Sequence, residues 1–183
     1  MTLVELSARE GSVLWQGDVA VVGATLAGVQ AALAAAEAGR TVCILEAGPV
    51  LGTELSAAWR SDLPAGGLRD ALQRHCAEQG AEGEALDVLL ATLALDRIVT
   101  EAGIQPFVCV RAMRPLLDGD GCLDGVEVVG KSGRQAVVAA TVLDATPGRV
   151  FAAGAGQAQG PEPVRVVRRC MFTGVEACEG EPA

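Results

Sequence analysis

Tyrosine is absent from this chain, and phenylalanine, tryptophan and histidine number three, two and one. So few aromatics leave little for nucleic-acid bases to stack on. Basic residues are scarce as well, 14 against 23 acidic, for a formal net charge of −9. That balance repels phosphate backbones and anionic lipid surfaces, so neither nucleic acid nor membrane is an expected partner. With His75 as its single histidine, the chain has no convincing Ser-His-Asp or Cys-His set. His75 reads as a structural residue on a helix. The six cysteines, Cys43, Cys76, Cys109, Cys122, Cys170 and Cys178, include no CxxC pair, which argues against a zinc site or a dithiol redox motif. Several lie in apolar runs as small core hydrophobes, and reduced thiols suit a cytoplasmic protein. The opening Met1 to Glu10 has no basic stretch of the kind that begins a secretory signal.

Apolar residues are abundant, at 50% of the chain, mostly Ala, Val and Leu beside 23 glycines. Small side chains of this kind suit close packing of helices on a sheet, and the length suits one domain. Val19 to Ala36 is apolar enough to resemble a membrane span, but Gly23 and Gly28 interrupt it. A strand, a turn and a helix explain the same residues better.

Asp18 to Val22 is a short, mostly β-branched run, as in a parallel strand buried on both faces. Leu26 to Ala38 is Ala-rich and stops at Gly39; Thr41 to Leu45 is a second buried strand. Together they make a βαβ unit. Helices are expected over residues 67–79 and 84–102, separated by Gly80 and Gly83. Phe107 to Val110 reads as a third parallel strand. Met113 to Leu117, Gly125 to Val129 and Gln135 to Ala139 read as an antiparallel meander, with turn formers at Asp118 to Gly121 and Lys131 to Gly133. Thr141 to Ala145 is expected to be a further, buried strand. The fold expected is α/β, a Rossmann-like parallel sheet with flanking helices and a three-stranded antiparallel β-meander. Residues 1–16 are expected to be an N-terminal extension, 17–156 a dinucleotide-binding domain, and 157–183 a tail or the start of a second domain.

Chemistry concentrates in Gly23-Ala24-Thr25-Leu26-Ala27-Gly28, which follows a strand and opens a helix. A dinucleotide fold needs its first glycine for the tight turn and its last for close helix–strand packing. The pyrophosphate then rests on the helix N-terminus, where free N–H groups favour anions. Glu46 closes the second strand, 23 residues after Gly23, where a carboxylate accepts from the ribose hydroxyls of an adenosine half. Thr25 stands where a middle glycine is expected. Its side chain should crowd the pyrophosphate, or its hydroxyl should donate to it.

Asp18 to Gly28, Gly39 to Glu46 and Leu51-Gly52 resemble the start of FAD-dependent oxidoreductases of the glutathione-reductase fold type. Ala102 to Arg111, Gly125 to Val129, Lys131 to Arg134 and Leu143-Asp144-Ala145-Thr146 are similar to later parts of that family's FAD-binding domain. The resemblance spans roughly residues 17–156 and implies FAD as cofactor and hydride transfer to flavin as the chemistry. It places Gly23, Gly28 and the amides of Ala24, Thr25 and Leu26 at the pyrophosphate, and Glu46, with Ala47 beside it, at the adenosine ribose. It puts Ala112 at the adenine, Thr146 near the pyrophosphate, Gly52 and Thr53 on the flavin side, and Arg60 as a candidate phosphate or flavin contact. No residue emerges as a catalytic acid or base.

Two further positions depart from the family pattern. Pro147 replaces a glycine after Asp144-Ala145-Thr146, which removes an N–H there. The residues that would form a substrate domain and complete the flavin site do not appear, so a second protein chain completing the fold is an expected partner beside FAD. The alternative is a non-catalytic or split-subunit relative acting as a scaffold. Asp144 is equally readable as a cap on the next turn. Arg165, Arg168 and Arg169 read as a solvated basic run.

Overall fold

Alternation along two short strands sets the layers of this protein, whose computed structural model describes residues 11–61, 63–81 and 86–154. In β1 (Ser12–Val22), Val19 and Val21 face one apolar core while Ala20 and Val22 face another. In β2 (Val42–Leu45), Val42 and Ile44 join the first core, and Cys43 and Leu45 the second. Both faces are therefore covered, as the unbroken apolar runs require. Between them α1 (Leu26–Glu37) is started by the Thr25 hydroxyl, which accepts the Gly28 N–H. It lays Val29 and Ala32 on the first core.

The short α2 (Thr53–Ser56) follows, then α3 (Gly67–Glu78) and α4 (Val88–Glu101). Leu68, Leu72 and Cys76 of α3 and Ala91, Leu95 and Val99 of α4 complete the first core with Leu51 and Leu55. Asp87 caps α4, its carboxylate accepting from the N–H groups of Leu89 and Leu90 at 3.0 and 2.9 Å.

After α4 come β3 (Gln105–Phe107), β4 (Arg111–Leu117), β5 (Leu123–Gly130) and β6 (Gly133–Asp144). One six-stranded sheet has the order β3-β2-β1-β6-β5-β4. β3, β2, β1 and β6 pair parallel; β6, β5 and β4 pair antiparallel. Val126 and Val128 of β5 and Val137 and Ala139 of β6 fill the second core, so the meander covers the face opposite the helices. On its outer side Glu127 lies between Arg114 and Arg134, accepting from the Arg134 guanidinium at 3.0 Å and from Arg114 Nε. A 3-10 turn (Pro147–Arg149) and α5 (Val150–Gly154) follow β6.

The expected βαβ unit, third parallel strand and meander are all present, with three differences in detail. β1 begins at Ser12, so residues 12–16, expected in an N-terminal extension, belong to the sheet, where they pair with Gln135 to Val138. The third parallel strand is Gln105–Phe107, ahead of the expected Phe107 to Val110. The meander's last strand and the expected strand at Thr141 to Ala145 are one continuous β6, and Thr141 and Leu143 on it are exposed rather than buried. The physical reason is register. β6 pairs with β5 only as far as Val138 and with β1 as far as Asp144, so among the described residues its last residues have a strand on one side alone. Cys43 and Cys76 are buried, as small core hydrophobes should be, whereas Cys109 and Cys122 are exposed. Residues 1–10, 82–85 and the whole tail 157–183, with Arg165, Arg168, Arg169, Cys170 and Cys178, lie outside the described residues.

Candidate functional site

Parallel strands end together, and here β1, β2 and β6 deliver Val22, Leu45 and Asp144 to one edge of the sheet. A cavity of about 470 Å³ opens beyond them, lined by Gly23, Thr25, Glu46, Ala47, Thr53, Ala112 and Thr146, with Val110, Arg111, Met113, Pro147 and Phe151 completing the wall. Its volume is that of a small-molecule site, and its place, outside the carboxyl ends of parallel strands, is where open α/β sheets bind ligands.

The turn between β1 and α1 is built as a nucleotide turn requires. Gly23 has φ +95°, and a Cβ there would meet the Ala145 carbonyl carbon and the Thr146 nitrogen at 2.9 Å. At Gly28 a Cβ would overlap the Gly23 carbonyl oxygen and reach Ala145 Cβ at 2.9 Å. One glycine lets the end of β6 approach the turn; the other lets the helix close on it.

Thr25 lines the cavity, and its hydroxyl has partners within the protein. Its hydroxyl donates to the Ala145 carbonyl at 2.9 Å and accepts the Gly28 N–H at 3.1 Å. The side chain is thus spent inside the protein, tying the turn to β6. Its expected neighbour, the Ala24 N–H, donates to Glu46 Oε2 at 2.8 Å, and the Gly48 N–H donates to Oε1 at 2.6 Å. Glu46 is 7% exposed. Two backbone donors orient the carboxylate, and the lone pairs they leave can still accept two hydroxyls.

The Leu26 N–H, the first of α1, is directed to a residue that sequence reasoning missed. It donates to the Glu54 carboxylate, 3.1 Å from each oxygen. The contact joins residues 28 apart, and no local pattern announces it. Phe151 was missed as well, since it lies after the last expected strand. Gly52 is held against Leu95 and Leu26 and donates its N–H to Ala24 O at 2.7 Å, behind the cavity rather than in it. Arg60 does not line the cavity; its backbone N–H donates to Glu54 O. Asp144 acts as a cap: its carboxylate accepts from the Thr146 N–H at 2.9 Å, the Thr146 hydroxyl at 2.6 Å and the Ala152 N–H at 2.6 Å. Thr146 is fixed at the cavity wall by these bonds. His75 pairs with Glu78 on α3, 3.5 Å apart.

Glycine turn, helix N-terminus, strand-end carboxylate and a cavity across β4 together define a dinucleotide-binding domain of the Rossmann type. These residues fit an adenosine diphosphate moiety: the oriented Glu46 carboxylate keeps lone pairs that can accept hydroxyls, and the helix N-terminus already holds an anionic group. Residues 18–161 match the family described as FAD dependent oxidoreductase. The chain belongs to that family, and its cofactor is FAD. No curated protein matches it in sequence.

Among solved structures, the chain is similar to THI4 of Thermovibrio ammonificans, with 21% identity, a TM-score of 0.55, and 73% of this chain aligned to 58% of that one. L-proline dehydrogenase from P. horikoshii aligns with 12% identity and a TM-score of 0.55, covering 78% of this chain and 56% of that one. A geranylgeranyl bacteriochlorophyll reductase-like protein from Thermoplasma acidophilum gives 19% identity, a TM-score of 0.52 and coverages of 78% and 42%. These likenesses establish the fold. The chain spans little more than half the length of the first and second of these and less than half of the third. Among the described residues no helix is long and apolar enough to cross a membrane.

Proposed function

We propose that this chain holds the adenosine diphosphate half of FAD in the cavity at the ends of β1, β2 and β6. The observation that carries the reading is Glu46, a nearly buried carboxylate oriented by the Ala24 and Gly48 amides at the cavity wall. Glu46 would accept from the ribose hydroxyls, and Ala47 would pass beside them. Ala112, on β4 across the cavity, would offer its backbone to the adenine edge. Gly23 and Gly28 would let the pyrophosphate approach α1, with the amides of Thr25 and Leu26 toward it and Thr146 near it, while the Ala24 amide stays on Glu46. Gly52 and Thr53 would border the route toward the flavin, where Thr53 reaches the cavity and Gly52 supports it from behind.

When bound, FAD supplies the redox chemistry, accepting hydride at the flavin. The residues described here bind and orient; none of them is assigned the transfer of a proton to or from substrate. Substrate contacts belong to a further domain, and a second protein chain completing the fold is the partner we infer. Among the described residues β6 has no partner strand beside residues 139–144 on its β5 side, which supports that reading, because an unpaired strand edge favours pairing. Hydrogen exchange checks it: fast exchange at the outward amides of these residues is expected, and protection in the isolated chain would remove the need for a partner. The free thiols of Cys43, Cys76, Cys109 and Cys122 support a cytoplasmic location, which fractionation of the native host would test.

Competition tests the binding mode. ADP should displace FAD from the protein, and FMN, which lacks the adenosine half, should not. Displacement by FMN with no effect of ADP would refute the assignment.

A further inference from the structure

We propose that Glu54 is a built-in competitor for the cofactor's pyrophosphate, so that FAD enters only as the Glu54 carboxylate swings away from the N-terminus of α1. The inference rests on the binding mode proposed above.

An α-helix presents unpaired N–H groups and the positive end of its dipole at its start, and anions settle there. In this protein the position is already taken. Both Glu54 oxygens lie 3.1 Å from the Leu26 nitrogen. Thr25 and Thr53, the residues before Leu26 and before Glu54 in sequence, both line the cavity. The carboxylate thus occupies the amide that a pyrophosphate would need, carrying the same sign of charge as the ligand.

The backbone beneath Glu54 is anchored. The Gly52 N–H donates to Ala24 O at 2.7 Å, Leu55 is fully buried in the first core, and the Ala57 N–H donates to Thr53 O at 2.9 Å. Opening therefore requires rotation of the Glu54 side chain, which is only partly buried, and not movement of the whole segment. The adenosine end of the site is independent of it, since Glu46 is held by Ala24 and Gly48. Glu54 should consequently weaken ligands that carry the diphosphate and leave adenosine unaffected.

The test is Glu54→Gln, a neutral residue of the same size that still accepts an N–H. FAD and ADP should bind the variant about three- to tenfold tighter than wild type, the range set by a partly buried carboxylate at a helix N-terminus, while adenosine binds both alike. Equal or weaker ADP binding by a folded Glu54→Gln variant would overturn the proposal. Should the variant fail to fold, wild type labelled with ¹³C and ¹⁵N decides it. Saturating ADP must move the Glu54 side-chain carboxyl carbon and the Leu26 amide together, and an unmoved Glu54 carboxyl with ADP bound overturns it. If neither protein binds FAD or ADP, the proposed binding mode fails and inorganic pyrophosphate becomes the probe. A Leu26 amide shift in Glu54→Gln but not in wild type keeps the competition; no shift in either removes it.

Discussion

The Thr25 hydroxyl donates to the carbonyl oxygen of Ala145, 120 residues away, at 2.9 Å. The Thr25 hydroxyl oxygen in turn accepts the Gly28 N–H at 3.1 Å. One side chain therefore caps α1 and ties the glycine turn to the end of β6. Removing both bonds while keeping the shape, as in Thr25→Val, leaves a buried carbonyl and a helix amide without their partner and should cost about 1–3 kcal/mol. Thr25→Ser keeps the hydroxyl and should stay within about 1 kcal/mol of wild type. Urea unfolding of the two variants measures the difference.

Gly28 is required for packing rather than for backbone freedom. An added Cβ would run into the Gly23 carbonyl oxygen and lie 2.9 Å from Ala145 Cβ. Backbone on one side cannot give way cheaply, so Gly28→Ala should lose about 2 kcal/mol or more, although alanine is the better helix former. A melting temperature equal to wild type would show that the turn is looser than described.

Much of this site could be read along the chain because its parts are local. The turn, the helix that follows and the acid closing β2 lie within residues 18–46, and each carries its own chemical reason. Thr25 was visible as a departure from the glycine pattern, but the fate of its hydroxyl was not, because its acceptor is Ala145. Glu54 was invisible for the same reason. The length of β6 was hidden by its two kinds of neighbour: among the described residues Gln135 to Val138 pair on both sides, whereas Thr141 to Asp144 pair with β1 alone. Burial along that strand depends on those neighbours, not on its own apolar residues. The start of β1 was hidden by Gly17 and Asp18, which look like a break in sequence.

Asp18 gives the fold a pH dependence at its acid end. Its carboxylate accepts from the Thr41 N–H at 2.8 Å and the Thr41 hydroxyl at 2.9 Å, joining β1 to the start of β2. Hydrogen bonds from the Thr41 backbone and side chain hold its pKa below the usual carboxylate value. A depressed folded-state pKa stabilises the native state above the unfolded value, and the contribution disappears as pH falls through the folded value. Asp18→Asn should therefore melt below wild type at pH 7. The gap should close as pH drops under about 4, the ordinary aspartate range. A gap unchanged at pH 3 would contradict the role of the charge.

Cys43 sets the opposite limit. Burial pushes its thiol from 9.0 up to about 12, so it remains protonated in the native protein after the unfolded thiol has begun to ionise. A raised folded-state pKa means that stability is intact below the unfolded value and declines as pH rises from about 9 toward 12. Iodoacetamide at pH 8 should label the exposed Cys109 and Cys122 in the native protein, and Cys43 and Cys76 only after denaturation. Mass spectrometry of tryptic peptides reads the pattern, and rapid native labelling of Cys43 would show that the second core opens.

The most direct measurement is the visible absorbance of the purified chain, taken before and after excess FAD and again after desalting. Flavin bands that remain with wild type and are lost from Glu46→Ala are expected if the cavity beside Glu46 holds the adenosine half. A spectrum that stays flat after FAD is added to the folded protein and desalted, or bands retained equally by Glu46→Ala, would contradict that assignment.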